Sequence, residues 1–267
     1  MTMASHRTFV LIALALAGCT QGRLDVVVPA PNSLQQDMVA HWPCDEGSGA
    51  TLGDIPSHSY DGTILGATWL IPGHFGNALH FSSGNSVIVS GSGFPQATPD
   101  WSVSLWVRPQ PQTWVVGADF GDNSYITLIS TEIGLSGGWE MNAQLLAGDT
   151  TWKYSFAYPD PGDAGSRAYQ SYDCDCLEVG QWTHLVAVVD SSSSVKEILF
   201  YKNGVLDGEK PITDTIHSGS NALYLGTWSG GERYFVGDLD DIVIYSRALT
   251  ADEVALLYKQ PAPTVLH

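Results

Sequence analysis

Short segments of alternating apolar and polar residues recur along almost the whole chain, and they limit the fold more than any other feature. In residues 102–107, written SVSLWV, apolar side chains dominate one set of alternate positions, the period of a strand with one face in a core. Many short strands separated by turn residues predict an all-β sandwich or barrel. The predicted strands are residues 38–42, 63–69, 78–81, 86–90, 101–108, 125–131, 140–146, 152–158, 182–189, 198–202, 222–226 and 235–245.

Two local signals stand out from this strand pattern. Asn203-Gly204 follows an apolar run and predicts a tight hairpin turn, because both central positions of such a turn need positive φ. Thr250 and Glu253 have the spacing of a capping box, which predicts one helix ending near residue 259. We expect this short helix to plug one end of the β domain.

The N-terminal residues predict the compartment. Residues 9–17 form an uncharged apolar run after His6 and Arg7; the run is too short to span a membrane and fits a signal peptide. The sequence LAGC at residues 16–19 resembles a bacterial lipobox, which implies cleavage after residue 18 and lipidation of Cys19. An ordinary secretory signal with a chance cysteine is the alternative.

The domain organisation follows from this start. We expect a signal peptide at residues 1–18, a flexible tether at 19–37, one β domain at 38–260 and a tail at 261–267. The protein is then a membrane-anchored bacterial lipoprotein outside the cytoplasm, with the outer membrane or cell surface favoured.

The charge balance excludes some classes of partner. The chain has 11 Lys and Arg residues and 28 Asp and Glu residues, which gives a formal net charge of −17. The chain therefore lacks the basic surface that nucleic acids need, and we expect contact with the membrane through the lipid anchor only. Acidity permits solubility, cation binding, or neutral partners such as glycans.

Three cysteines remain besides Cys19: Cys44, Cys174 and Cys176. An extracytoplasmic compartment permits disulfides. We expect Cys44 to pair with Cys174 or Cys176, and a strained bridge between Cys174 and Cys176 is the other possibility. The spacing does not match a four-ligand zinc site.

Eight short motifs, in order, resemble the laminin-G-like domains of the concanavalin A-like jelly rolls. They are HWPCDEGSG at 41–49, DG with GATW at 61–69, GHFGNALHF at 73–81, WSVSLWVRP at 101–109, GQWTHL at 180–185, YKNG at 201–204, GDLDDIVIY at 237–245 and SRAL with Glu253. The resemblance covers residues 38–259 and implies a concanavalin A-like antiparallel β-sandwich with one short C-terminal helix. Cys44 departs from the family pattern, which has an apolar residue there, and residues 159–178 look like a loop insertion.

The resemblance also implies one structural Ca²⁺, a hard cation that prefers oxygen ligands. The matching residues are Asp240 and Asp238, with Glu46 or Asp54. Alternation places Asp238 and Asp240 on one face of their strand and Asp241 on the other. Alternatively, Asp240 accepts backbone hydrogen bonds and holds the N-terminal loop without a metal.

Aromatic residues in or beside loops are the candidates for ligand contact, because sugar rings stack on aromatic faces. We select Tyr169, Tyr172 and Trp228 as ligand-binding residues. His184 and Trp106, by contrast, lie in strand motifs and are expected to be packed, with His184 bonding across the sheet.

No catalytic motif is apparent. Glycoside hydrolases of this fold carry an E-x-D-x-E strand, and neither that run nor a nucleophile elbow, a phosphate loop or a zincin motif occurs here. The sequence predicts a lipid-anchored recognition or adhesion module, not an enzyme, that binds carbohydrate or a surface protein. A divergent glycoside hydrolase or polysaccharide lyase, or a purely structural envelope lipoprotein, are the alternatives.

Overall fold

The computed structural model describes residues 33–55, 57–90, 99–111, 124–131, 138–145, 153–159, 167–171, 177–192, 196–212, 222–228 and 231–263. The predicted signal peptide, Cys19, most of the predicted tether, Tyr172, Cys174 and Cys176 lie outside these residues. The strands are β1 Met38–Trp42, β2 Thr51–Leu52, β3 Gly62–Leu65, β4 Thr68–Leu70, β5 Ala78–Phe81, β6 Ser86–Ser90, β7 Trp101–Pro109, β8 Ser124–Ser130, β9 Glu140–Leu145, β10 Lys153–Pro159, β11 Arg167–Ser171, β12 Thr183–Asp190, β13 Glu197–Lys202, β14 Val205–Pro211, β15 Ala222–Leu225 and β16 Gly237–Tyr245. A 3₁₀ turn at Ser33–Gln35 precedes β1, and helix α1 spans Ala251–Lys259.

The strands form two antiparallel sheets, which confirms the predicted sandwich. The first sheet has the order β14-β13-β12-β7-β16-β5-β4, and β1 also pairs with β16. The second sheet has the order β11-β10-β9-β8-β15-β6-β3-β2. Half of the strand pairings join strands that are not consecutive in the chain, so the register depends on packing between sheets as well as on local turns.

One large apolar core lies between the sheets. Alternate residues of β7, such as Val103 and Leu105, enter this core together with Trp42 of β1 and Phe156 of β10. Complete burial of one such side chain contributes about 1.5–3 kcal/mol. The inner face of each sheet is therefore apolar, and the outer faces are where the two sheets differ.

Helix α1 covers the outer face of the first sheet. Val254 and Leu257 of the helix pack against Val186 of β12 and Tyr245 of β16, which alternate away from the central core. The predicted capping box is confirmed at Thr250. The expectation that the helix plugs one end of the sandwich is wrong, because its apolar face matches the apolar outward residues of β12 and β16 instead.

The predicted disulfide from Cys44 is also wrong. Cys44 is a free, fully buried thiol within the central core, and its Sγ lies 3.6 Å from the carbonyl oxygen of Trp42. Burial raises the pKa of this thiol well above its ordinary value, and electrostatic repulsion from nearby Asp240 is the next largest cause of the increase. Cys44 thus fills the place of an apolar residue, as free cysteines in cores commonly do.

No helix in the described part of the chain is long and apolar enough to cross a membrane.

Removal of the Leu257 side chain tests the packing of the helix. Leu257 is buried against the first sheet, so Leu257→Ala should lower the free energy of unfolding by about 2–5 kcal/mol through lost contacts and a cavity. Urea denaturation measures this change. Lys259→Ala, at an exposed position of the same helix, is the matched control and should change stability by less than about 0.5 kcal/mol. Equal effects of the two variants would show that the helix is not packed as described.

Candidate functional site

Asp240 is buried on β16 and holds the loop before β5. Its Oδ2 accepts hydrogen bonds from the backbone N–H groups of His74 and Phe75 at 2.8 and 2.9 Å. Burial raises the pKa of Asp240 to about 8, and these two hydrogen bonds only partly oppose that effect. This geometry is the metal-free arrangement considered as the alternative to calcium binding.

A bulge changes the predicted direction of Asp241. The pairing of β16 with β7 shifts between Asp240 and Val243, and Asp241 has a positive φ of 44°. Asp241 therefore accepts at Oδ2 from the backbone N–H of Ala262 and pairs through Oδ1 with His41 on the outer side of the sheet. The expectation that Asp240 and Asp241 face opposite sides is wrong, because the bulge interrupts the alternation.

Asp238 has positively charged and polar neighbours of its own. It lies 2.8 Å from Arg108 Nε and 2.7 Å from His80 Nδ1, and Gln110 also donates to it. Its carboxylate is almost completely buried, so these partners offset a large desolvation cost. Asp238 thus fastens β16 to its two neighbours, β5 and β7.

The two remaining predicted calcium ligands hold the N-terminal loop together. Asp54 accepts hydrogen bonds from the backbone N–H groups of His41 and Tyr60 and from the Ser57 hydroxyl. Glu46 accepts from the backbone N–H of Gly53. These contacts are internal to the loop and its adjoining strand.

The four carboxylates do not fit the expected calcium site. Each one is engaged by a different set of donors, and no cluster of three or more His, Cys, Asp or Glu side chains in the described ranges is placed to hold a metal ion. A calcium ion needs about six to eight oxygens around one point. The structure instead distributes these residues along β16 and the N-terminal loop.

His184 is packed in the first sheet, as expected. Its Nε2 lies 2.8 Å from the hydroxyl of Ser104 on the neighbouring strand, and its ring lies beside that of Trp106. Burial lowers the pKa of His184 to about 3, so the ring is neutral at neutral pH. The Ser–His pair is buried beside helix α1 and the His74 loop.

The outer face of strands β8, β9 and β10 in the second sheet carries polar residues in place of an apolar layer. Glu140 and Asn142 alternate outward along β9, and their neighbours are Thr127 on β8 and Ser155 on β10. All four are buried. Thr127 donates to Glu140, and Ser155 donates to Asn142. A buried polar layer on an outward face is unusual, because polar burial is costly unless every group is paired.

Arg233 lies over this layer in a constrained conformation. Its φ is 53°, a region that non-glycine residues seldom adopt, and its Nη1 lies 3.0 Å from Oε1 of the fully buried Glu140. The guanidinium carbon is 4.9 Å from the ring centre of Trp228 and 5.8 Å from that of Tyr125. We call Tyr125, Glu140, Trp228 and Arg233 the aromatic–arginine platform.

The platform has the properties of a recognition site. A left-handed non-glycine residue costs about 1–3 kcal/mol and persists where surrounding contacts hold it in place, often at functional sites. Here the backbone carbonyl of Arg233 accepts from Thr127 N, and its side chain is held by Glu140. The rings of Tyr125 and Trp228 remain partly exposed. The arrangement therefore presents two partly exposed aromatic rings beside hydrogen-bonding groups.

Of the three predicted ligand-binding residues, the structure places Trp228 in the platform. The backbone of Tyr169 lies on β11 at the edge of the same sheet, paired with Ala157, and its side chain is outside the described residues, as is all of Tyr172. Sequence reasoning missed Tyr125, Glu140 and Arg233. The alternation of polar residues in EMNAQ at 140–144 is the signal that could have located the face.

A family model described as the concanavalin A-like lectin/glucanases superfamily matches residues 81–255, more than half of the chain. The chain belongs to this superfamily. In sequence, it is 24% identical over 178 residues to the adhesion G-protein coupled receptor V1 of Danio rerio, a match that spans 65% of this chain and 3% of the receptor.

Several solved structures share the fold. Domain 4 of AbnA, a GH43 extracellular arabinanase from Geobacillus stearothermophilus, solved in complex with arabinotriose, superposes with a TM-score of 0.58 at 22% identity, covering 83% of this chain and 98% of that domain. The binding domain of Paraclostridial Mosquitocidal Protein 1 gives a TM-score of 0.64 at 18% identity, over 84% of this chain and 52% of that one. The receptor binding domain of botulinum neurotoxin type G gives 0.56 at 19% identity, over 84% and 51%. The chain thus spans about half of the toxin domains and nearly all of the arabinanase domain.

The raised pKa of Asp240 predicts a pH dependence of stability. Between the ordinary value of 3.8 and the folded value of about 8, the folded state binds more protons than the unfolded state, so stability falls as pH rises. His184, with a folded pKa of about 3 against 6.5, acts in the opposite direction only below pH 6.5. The free energy of unfolding should therefore fall from pH 6.5 to 8, by at most about 1.4 kcal/mol per pH unit.

Asp240→Asn is the variant that isolates this effect. The amide oxygen can still accept from His74 and Phe75, but the side chain no longer titrates. Urea denaturation at pH 6.5, 7.2 and 8 should show a much flatter profile for this variant than for the natural protein. Parallel profiles for the two proteins would contradict the assignment to Asp240.

Proposed function

We propose that this protein is a non-catalytic carbohydrate-recognition module that binds neutral glycans at the aromatic–arginine platform. The observation that carries the proposal is Arg233, whose strained backbone and buried ion pair fix its position beside the partly exposed rings of Trp228 and Tyr125. Binding sites that are fixed before the ligand arrives lose less entropy on association. The platform is prearranged in this sense.

The charge of the platform favours a neutral ligand. Glu140 is the only acidic residue on the described strands of the second sheet, and Arg233 neutralises it. Within the four platform residues the two charges therefore cancel, and the platform offers aromatic faces and hydrogen-bonding groups. Stacking on Trp228 and hydrogen bonds to hydroxyl groups are the interactions that suit a neutral sugar ring.

The same strand argues against hydrolysis. Glycoside hydrolysis uses two carboxyl groups about 5–9.5 Å apart, and residues two apart along a strand are separated by about 7 Å. The outward positions after Glu140 carry amides, at Asn142 and Gln144. Amides do not transfer protons in general acid–base catalysis, so binding without cleavage is the function that these residues support.

The arabinanase domain supports the choice of ligand class, since it shares the fold over 98% of its length and was solved with a neutral oligosaccharide. A toxin binding domain supports a second candidate, a surface protein, because the binding domain of botulinum neurotoxin DC was solved in complex with rat synaptotagmin II. We place the glycan first because the platform combines aromatic rings with buried hydroxyl and amide groups.

Substitution of Trp228 tests the glycan proposal. Arabinotriose, together with soluble arabinan, xylan, glucan and mannan, is titrated into the purified protein by calorimetry. Trp228→Ala should weaken binding of any bound glycan at least tenfold, about 1.4 kcal/mol, through the loss of ring stacking. Tyr258→Ala, a partly exposed aromatic on the first sheet side, is the control and should bind normally.

The outcomes separate the candidates. No binding of the natural protein to any neutral glycan would overturn the proposal and leave the protein-receptor candidate. If the natural protein cleaves a polysaccharide and a folded Glu140→Gln variant does not, the protein is an enzyme and the non-catalytic part of the proposal is wrong.

We also propose that the module acts outside the cytoplasm on a lipid anchor at Cys19. The lipobox-like residues 16–19 support this location, and a lipid-modified N-terminal cysteine carrying more than one acyl chain would give stable membrane attachment. The domain could then bind glycan within reach of residues 20–37, at most about 60 Å when fully extended.

Cys19→Ser tests the anchor. In a bacterial host, the natural protein should incorporate labelled palmitate and sediment with membranes, whereas the variant should do neither because it lacks the acylated thiol. Ser48→Ala, in the loop after β1, is the control. Labelling of the variant, or a natural protein that stays soluble and unlabelled, would refute the anchor and leave the glycan proposal unaffected.

A further inference from the structure

Asp238 holds three polar side chains on the part of the first sheet's outer face that remains partly exposed. It lies in one cross-strand row with His80 of β5 and Arg108 of β7. The next residue on β16, Leu239, enters the core, so the row faces outward. The Asp238 carboxylate is buried and lies 2.7 Å from His80 Nδ1, 2.8 Å from Arg108 Nε and 3.2 Å from Gln110 Nε2. These three partners are all partly exposed.

The buried carboxylate determines which atoms its partners keep for a ligand. An ionised carboxylate only accepts hydrogen bonds, so each partner must use a donor to reach it. Neutral His80 therefore carries its proton on Nδ1 and keeps Nε2 as an acceptor, and Gln110 keeps Oε1 as a second acceptor. Arg108 keeps the N–H groups of Nη1 and Nη2 as donors. These remaining atoms are not buried, and they make no hydrogen bond to the protein within the described ranges.

The guanidinium group of Arg108 is held from two sides. Its Nε pairs with Asp238, and its central carbon lies 4.9 Å from the ring centre of Trp182, the residue before β12. A planar guanidinium that is both paired and stacked has few orientations left to lose when a ligand binds. The donors of this row are therefore in place before a ligand arrives, and no part of the fold has to open to expose them.

We infer that His80, Arg108 and Gln110 form a second carbohydrate-binding site, which takes the hydroxyl groups of a neutral glycan and lies on the opposite side of the sandwich from the aromatic–arginine platform. A hydroxyl group both donates and accepts, so neighbouring hydroxyls of a sugar pair with the donors of Arg108 and with the two acceptors. An anion only accepts and would leave both acceptors unpaired, and Arg108 would repel a cation. The mixture of donors and acceptors therefore selects a neutral, hydroxylated ligand.

The charges around the row agree with a neutral ligand. Arg108 is the one Lys or Arg on strands β4, β5, β7, β12 and β16, and its charge is offset by Asp238. Two further acidic residues follow on β16. His80 gains a positive charge only by giving up its acceptor, and burial lowers the pKa of nearby His74, which keeps that ring neutral at neutral pH. A uronate or a sulfated sugar would therefore meet no cation in excess on these strands.

The second site is expected to bind more weakly than the platform. The ring of Trp182 is contacted by the guanidinium of Arg108 at 4.9 Å and by the ring of His74 at 5.9 Å, so it offers little free surface for stacking. Hydrogen bonds to hydroxyl groups largely replace bonds to water and contribute little by themselves. We expect an affinity at least tenfold lower than at the platform. Two sites on opposite sides still allow the domain to hold two glycan chains at once, which strengthens its attachment to a polysaccharide.

Trp228→Ala separates the two sites because it disables the platform alone. Arabinotriose, xylotriose, cellotriose and mannotriose are each titrated into this variant, and the indole N–H signal of Trp182, assigned with Trp182→Phe, is followed by NMR. At least one trisaccharide should shift this signal to saturation, and the natural protein should show the same shift. Arg108→Lys in the Trp228→Ala background keeps a cation beside Asp238 but removes the donor pair, so the Kd should rise at least tenfold. Lys259→Ala, at an exposed position of α1, is the control and should leave the titration unchanged.

His80→Asn provides a second measurement if Arg108→Lys does not fold. Its amide keeps a donor close to Asp238 but has no atom in the place of Nε2, so the Kd should again rise at least tenfold. The inference is overturned if no trisaccharide shifts the Trp182 signal, or if either folded variant binds with full affinity.

Trigalacturonate tests the ligand class in the same titration. It should bind more weakly than the best neutral trisaccharide, and tighter binding of this acidic sugar would overturn the inference. All of these outcomes leave the proposed function in place, because that function is tested by the loss of natural-protein affinity on substitution of Trp228.

Discussion

Strand β16 buries three acidic side chains in the middle of the first sheet, and each of them binds to a different neighbouring element. Asp238 is paired by side chains of β5 and β7, Asp240 by backbone N–H groups of the loop before β5, and Asp241 by β1 and the C-terminal segment. A buried carboxylate without partners costs several kcal/mol. Hydrogen bonds to the acidic side chains of β16 therefore help to hold β1, the loop before β5 and the C-terminal segment in place.

Much of the outer face of the first sheet is covered by other elements, whereas the aromatic–arginine platform lies on the outer face of the second sheet. Helix α1 and the loop at His74 cover the part of the first sheet where His184 and Ser104 are enclosed. On the second sheet, strands β8, β9 and β10 carry a buried polar layer on the outer face, and a strained arginine is fixed there by Glu140. The two sheets thus use buried charge differently: in the first mainly to fasten elements together, in the second to position a binding group.

The errors of sequence reasoning have particular physical causes. Cys44 was expected to form a disulfide because cysteines of proteins outside the cytoplasm often pair, but its position is fully enclosed in the core. Asp241 was placed on the wrong face because a bulge is invisible to simple alternation. The carboxylates selected as calcium ligands carry the right chemistry for a metal, yet the same groups serve equally well as acceptors for backbone N–H groups, and only their positions distinguish the two uses.

The sequence by itself determined the strand segments, the hairpin at Asn203, the capped helix and the superfamily, because these depend on local periodicity, turn chemistry and short motifs in order. The tertiary structure decided which polar residues meet. Arg233 and Glu140 are 93 residues apart, and their pairing depends on the order in which the strands assemble into the second sheet. Periodicity along the chain reports which face of a strand is apolar, but contacts between distant strands are set by how two sheets pack, so the platform emerged only from the fold.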